Sequence, residues 1–307
     1  VDDHQYLSYL NGQGYTQHAY DSEDNLYYYG KYNTNSAWSA DGISVSGLNS
    51  NDAYLAKRWS NGTWAWVLTL DASSSVYHGE LVVDDNGNSY VNGYRTGGSI
   101  DLPGADHDLS DREAAFVVSV DSNGSVRWAE DAYLSSGSSN ANWYVWSGSS
   151  VNSYGFTRMH VNASTGELTF AGQVSSSSSG DRTLVFGDVT LDIPPSYYNY
   201  NRPFVARINA TGDFTWAATV TPESTYHRSL QGMVVHDDGT VEVLMRTYGG
   251  TSLGSHSVTS STYHYVLGSL NASGEWTGAS TIVAEDPVGF DVSYDSAMME
   301  GTSEGDL

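Results

Sequence analysis

The sequence predicts an all-β protein assembled from four copies of one four-stranded antiparallel unit, and three observations carry that prediction. The first is composition: aromatic residues make up 13% of the 307 residues, with 23 tyrosines and 9 tryptophans, against 16% charged residues. Tyr and Trp favour pleated, half-buried surfaces, and such a chain does not read as disordered. The second is a hairpin that returns. "VVDDNGNSYVNGYRTGG" (Val82 to Gly98) comes back as "VVHDDGTVEVLMRTYGG" (Val234 to Gly250), with further copies from Ala19 to Tyr32 and from His160 to Gln173. The third is another hairpin, in step with the first, at Ala53 to Trp66, Ala115 to Ala129, Pro203 to Ala217 and Tyr265 to Ala279, superposing on Gly62, Gly124, Gly212 and Gly274.

In each hairpin the flanks alternate or run apolar, with β-branched and aromatic residues, while the centre is Asp, Asn and Gly; this is the pattern of two strands around a tight turn. Asn86-Gly87, Asn123-Gly124 and Asp238-Gly239 offer the left-handed positions that such turns use. Hairpin, loop, hairpin makes a four-stranded unit. Such units cannot bury both sheet faces alone, and repeats spaced by sixty or more residues stack face to face around an axis, which is a β-propeller. No long helical periodicity competes, and Pro194-Pro195 and the serine run from Ser175 to Gly180 fall between hairpins. The expected organisation is one domain over 1–307, with repeats near 15–78, 79–155, 156–230 and 231–287, and a partial repeat with an acidic tail over 288–307. The segment from Val288 to Gly301 reads like the opening of a fifth first hairpin, and His4 to Gly14 like a stray strand pair. Closure of the two ends into one composite blade, excision from a larger ring and pairing with another subunit are all compatible with these ends.

A formal net charge of -24, from 36 acidic and 12 basic residues, repels phosphate backbones and anionic lipid, so neither nucleic acid nor membrane insertion is expected. With no cysteine, there is neither disulfide nor thiolate metal site. The opening "VDDHQYLSYL" has no initiator Met and reads as a processed or excised piece. Only Lys31 and Lys57 are lysines, and an Asp-rich, Lys-poor chain resembles proteins of marine or salt-loving microbes.

The copies also resemble the secreted β-propeller repeats of bacteria and archaea, whose blades read Val-Asp-x-x-Gly-Asn-x-Tyr-Val-x-Gly and then Phe-Val-Ala-Lys/Arg-x-x-x-x-Gly-x-x-x-Trp-Ala. Val83-Asp84, Gly87-Asn88, Tyr90-Val91 and Gly93 match the first half; Phe204-Val205-Ala206-Arg207, Gly212 and Trp216-Ala217 match the second. "LVFGDVTL" (Leu184 to Leu191) resembles the stretch these repeats carry between hairpins. The resemblance covers roughly Ala19 to Ala279 and implies a propeller outside the cell or on its surface. It implies little about activity, because propellers host unrelated functions.

Candidate sites follow from residue chemistry. Five Asn-x-Ser/Thr tripeptides, at Asn61, Asn123, Asn162, Asn209 and Asn271, all lie in hairpin turns where a glycan would not disturb the sheet. Roughly four would arise by chance in such a chain, so placement carries the argument rather than number. Asp84, Asn86, Asn88, Asp121 and Asn123 gather oxygen atoms as calcium loops do, without the closing Glu of an EF-hand. Turn chemistry uses the same residues, so no cofactor is required, and calcium is the one these turns could hold. His18, His78 and His227 stand near the starts of repeats and could meet a transition metal, though at no familiar spacing. Aromatic runs at Trp143-Tyr144 and at Tyr197, Tyr198 and Tyr200 sit between hairpins, where rings stack on sugars or anchor protein partners. No nucleophile elbow, metalloprotease helix or phosphate loop occurs. The expected function is a non-catalytic binding or adhesion module at the cell surface, with a protein, a glycan or copies of itself as partner. A filament or sheath subunit joined through its terminal strands, and a polysaccharide-processing enzyme, are the alternatives.

Overall fold

A computed structural model describes residues 17–32, 38–46, 49–104, 107–135, 141–143, 158–176, 182–193, 201–222 and 228–282. These residues form strands and turns, with no helix among them. The first unit contains β1 (Gln17–Tyr20), β2 (Leu26–Lys31), a small hairpin β3 (Trp38–Ala40) and β4 (Ile43–Val45), then β5 (Ala53–Arg58) and β6 (Trp64–Ala72). The second has β7 (Val76–Val83), β8 (Ser89–Thr96), the short β9 (Ile100–Asp101), β10 (Glu113–Val120) and β11 (Val126–Ser135), followed by β12 (Ala141–Trp143). The third has β13 (Arg158–Val161), β14 (Leu168–Ser176), the hairpin β15 (Arg182–Phe186) and β16 (Val189–Ile193), β17 (Asn201–Ile208) and β18 (Phe214–Thr219), followed by β19 (Thr221–Pro222). The fourth has β20 (Arg228–Val235), β21 (Val241–Tyr248), the hairpin β22 (Thr251–Leu253) and β23 (His256–Val258), β24 (Tyr263–Leu270) and β25 (Trp276–Ile282).

Each unit is thus an antiparallel meander of four main strands, and the stretch between its two hairpins forms a smaller insert. The insert does not pair with its own unit's main strands. β6 pairs with β9, β11 with β15, and β19, which follows β18, with β22, so the outer strand of each unit continues into the insert of the next. Inner strands also lie in sequence, β1 against β7, β7 against β13 and β13 against β20. Among the described residues no strand pairing joins the fourth sheet to the first.

The turns are built differently from the sequence expectation. Only the glycines of the Asn-Gly and Asp-Gly pairs take positive φ (Gly87 73°, Gly124 90°, Gly239 80°); Asn86, Asn123 and Asp238 do not. The reason lies in the residue opening the turn. Asp84 Oδ1 accepts the N–H groups of Asn86 and Asn88, and Asp121 Oδ1 those of Asn123 and Ser125. That caging favours a type I turn closed by a left-handed glycine, and in the four second hairpins the register shifts beside the turn, between Lys57 and Arg58, Ser119 and Val120, Arg207 and Ile208, and Ser269 and Leu270.

Repeat residues do most of their work between units. Asp84 Oδ2 receives Asn88 Nδ2 and the Tyr90 hydroxyl, and that hydroxyl reaches Gly166 O of the next unit at 3.4 Å. Tyr27 does the same from the first unit, bonding Asp21 and Gly87 O at 3.0 Å. In the third unit Thr169 holds the tyrosine's place, and Arg207 bridges instead, from Thr169 to Gly239 O and Ala272 O. Tryptophan makes the parallel link: Trp66 Nε1 donates to Ser122 O, Trp128 to Ala210 O and Trp216 to Ala272 O, at 3.0–3.1 Å. Each ring lies where a Cβ on the next unit's turn glycine would sit, at 2.8 Å for Gly124, 2.9 Å for Gly212 and 2.5 Å for Gly274.

Alternate residues of each strand face opposite neighbours, so three cores form between units rather than within them. Tyr27, Tyr29, Leu55 and Leu70 pack against Val91, Phe116 and Val118; Tyr90, Val117 and Trp128 against Phe170, Phe186 and Phe204; Val205 and Ala218 against Val243, Met245 and Val266. All three tyrosines of the "YYY" run are buried, with Tyr28 turned the other way beside Trp64. The fourth unit breaks the pattern on its outgoing face. Glu242 stands at the tyrosine's place and Gly278 at the tryptophan's, while Ile282, whose counterparts Leu70, Ala132 and Val220 are 0–3% exposed, is 43% exposed.

Candidate binding face

A four-stranded meander has two ends, and the sequence-predicted sites divide between them. Both hairpin turns of each unit lie at one end, and the inserts leave from the other. The five tripeptide asparagines lie at the turn end, in two settings. Asn209 and Asn271 open their turns: each Oδ1 accepts two backbone N–H groups, and each Nδ2 donates to an acid, Asp213 or Glu275. Asn162 opens its longer turn through Oδ1, which accepts Ser164 and Thr165. Asn61 and Asn123 stand inside their turns and are exposed, Asn61 Oδ1 accepting only Thr63.

Of the proposed calcium oxygens, those of Asp84 and Asp121 accept hydrogen bonds within their hairpins. Asp84 is 2% exposed and accepts four donors, and Asp121 accepts two backbone N–H groups. Among the described residues no group of three or more His, Cys, Asp or Glu side chains is arranged to hold a metal. His78 is buried edge-on against Tyr29, with centroids 5.7 Å apart, and His18 packs edge-on with Tyr20 at 6.4 Å. His227 lies outside the described residues.

At the insert end, Trp143 is on β12, paired in register with Val174, and nothing further is described of its side chain. Tyr144, Tyr197, Tyr198 and Tyr200 lie outside the described residues. The described part of this end holds an aromatic platform the sequence reading passed over. Tyr77, 41% exposed, stacks on Tyr94 with centroids 5.8 Å apart and planes 21° from parallel. Tyr94 donates to Glu113 Oε1 at 2.7 Å, and burial together with that carboxylate raises its phenol well above the ordinary range. The Lys31 ammonium lies 5.4 Å from the Tyr77 centroid, its pKa lowered by burial and partly restored by Asp52. Within "VYHGE" it is the histidine that catches the eye, yet strand alternation turns His78 inward and Tyr77 outward. The result is a flat ring face fixed from behind, with a cation at its edge. Such a surface can stack on the apolar face of a sugar ring or an aromatic side chain.

Two carboxyls at the unit junctions are shifted toward neutrality. Glu80 accepts Met159 N–H at 2.6 Å and Arg158 Nη1 at 3.3 Å, but burial outweighs both and pushes its carboxyl up to about 7. Glu130 is raised to about 7 by burial, with Asp131 and Asp213 adding to it. No protein-family model and no curated protein matches the sequence.

Proposed function

We propose that this chain is a secreted or cell-surface binding module of β-propeller type, non-catalytic, that holds a glycan or a protein partner on its insert end. The observation carrying this reading is the Tyr77–Tyr94 stack: a large ring left 41% exposed although its partner is pinned by Glu113 and Lys31 lies beside it. In the sequence, the aromatic segments Trp143-Tyr144 and Tyr197 to Tyr200 fall between hairpins. Turn-end polar residues support the reading from the other side, because Asp84, Tyr90, Arg127, Arg207 and the tryptophans are engaged in holding units together. With a net charge of -24, a neutral polysaccharide suits the platform better than an anionic one.

Affinity electrophoresis through gels containing soluble neutral polysaccharides tests this. Retarded migration is expected in at least one, with Tyr77→Ala weakening it by about tenfold, the effect of about 1.4 kcal/mol. Retention unchanged in Tyr77→Ala would remove the platform from the site, and no retention by any glycan would leave a protein partner.

Ile282 favours a second reading. Its exposure at a place covered in the other three units suits a subunit that adds to its neighbour edge to edge. Sedimentation velocity decides between them: a monomer is expected for both wild type and Ile282→Asp, whereas filaments abolished by Ile282→Asp would make this a structural protein.

A further inference from the structure

Each junction between units encloses basic side-chain nitrogens that meet no hydrogen-bond partner among the described residues. In the second unit Arg95 is 0% exposed, in the third Arg202 is 3% exposed, and in both Nε and Nη1 are enclosed and unpartnered; in the fourth, His264 Nε2 is in the same condition. The three places correspond. Arg95 faces Ala114 across the ladder, Arg202 faces Val174 and His264 faces Thr247, and Val174 and Thr247 lie as far beyond their turn glycines as Arg95 lies beyond Gly87. Arg95 has Asp131 as a counter-charge, and the other ring nitrogen of His264, Nδ1, lies 3.0 Å from Thr262 O. Among the described residues Arg202 has no such partner.

Among the described residues no carboxylate acts on Arg202, and burial lowers the pKa of its guanidinium. Phe204, Ala206 and Ile208, alternating with it along β17, belong to the core between the second and third units together with Val174 and Leu184. A guanidinium stays charged at any ordinary pH, and two of its three nitrogens here, Nε and Nη1, are enclosed without an acceptor, which is costly for a fold to keep.

We propose that Arg202 forms a small-anion site at the junction of the second and third units and takes up a monovalent halide, chloride in practice. Enclosed N–H groups suit a compact spherical acceptor, and the apolar wall of Phe204 and Val174 disfavours a heavily hydrated multivalent one. This inference does not rest on the binding reading above.

The experiment is thermal unfolding at pH 7 of wild type and Arg202→Met, in sodium chloride and in sodium gluconate at equal ionic strength. Chloride should raise the wild-type Tm with the concentration dependence of one saturable site. Arg202→Met should lose that increment and should be the more stable of the two in gluconate, having shed the unpaired charge. A chloride increment that survives in Arg202→Met, or no increment in wild type, overturns the proposal. Should the variant fail to fold, wild-type crystals grown in sodium bromide decide: an anomalous peak in contact with the guanidinium is expected, and ordinary water density there overturns it.

Discussion

Truncating Trp128 to Ala should cost about 3–5 kcal/mol, the range for deleting a buried aromatic side chain. The ring is 6% exposed and joins two units at once. Its Nε1 donates to Ala210 O at 3.1 Å, its ring centroid lies 5.9 Å from that of Tyr90, and its Cγ lies 2.9 Å from where a Cβ on Gly212 would be. Removing it leaves a cavity in the core between the second and third sheets. Gly212 is the other half of the contact, and its φ of 101° already selects glycine. Gly212→Ala should therefore be destabilising in wild type through both strain and collision, and through strain alone in Trp128→Ala. Urea unfolding of the two single variants and the double variant measures the difference as a coupling energy. Additive losses would show that the tryptophan does not rest on that glycine.

Stability should fall as pH rises from about 4.5 to about 7, and Glu80 should carry a separable share of the fall. Its carboxyl is raised from 4.5 to about 7 by burial, so the folded state binds its proton more tightly than the unfolded chain. Folding is then favoured most below the unfolded value, and the advantage is lost as pH climbs through the folded one, up to about 3 kcal/mol for a shift of this size. The side chain is 19% exposed, which trims that figure. Glu130, also raised to about 7, adds a slope of the same sign, as does self-repulsion in so acidic a chain. Comparing Tm of wild type and Glu80→Gln at pH 5.5 and pH 8 isolates the one group: the variant should lose less on going to pH 8. Parallel pH profiles would mean that Glu80 titrates as it does in the unfolded chain.

Much of the fold is legible because it is local. Eight hairpins stand where Asp, Asn and Gly interrupt alternating apolar runs, since register and turn are set within a dozen residues. The insert hairpin "LVFGDVTL" is visible in the same way, and forms β15 and β16. Which sheet it joins is not visible, because its pairing with β11 spans the whole of β12 to β14. The Asn-Gly pairs suggest two left-handed residues, and only the side-chain caging by Asp84 and Asp121 shows why one suffices. The site was less legible than the fold. Exposure of Tyr77 depends on where the neighbouring sheet ends, and the isolation of Arg202 on what fails to approach it; neither is a property of nearby sequence.

Each junction has a donor side and a receiver side. Tyrosine or arginine, tryptophan and the outer strand give; turn glycines and the insert of the following unit receive. The chain therefore has a direction independent of its covalent order, as a zipper does. A whole extra repeat placed between the second and third units would find both halves of its contacts waiting. Appended after the fourth it would not, for Glu242 and Gly278 have given up the giving residues. At the opposite end Asp24 keeps a φ of 60° where a receiving glycine would stand. The two outer faces of the described units thus differ from the three junctions between them, and those few positions, rather than the repeat itself, decide which neighbour each face can receive.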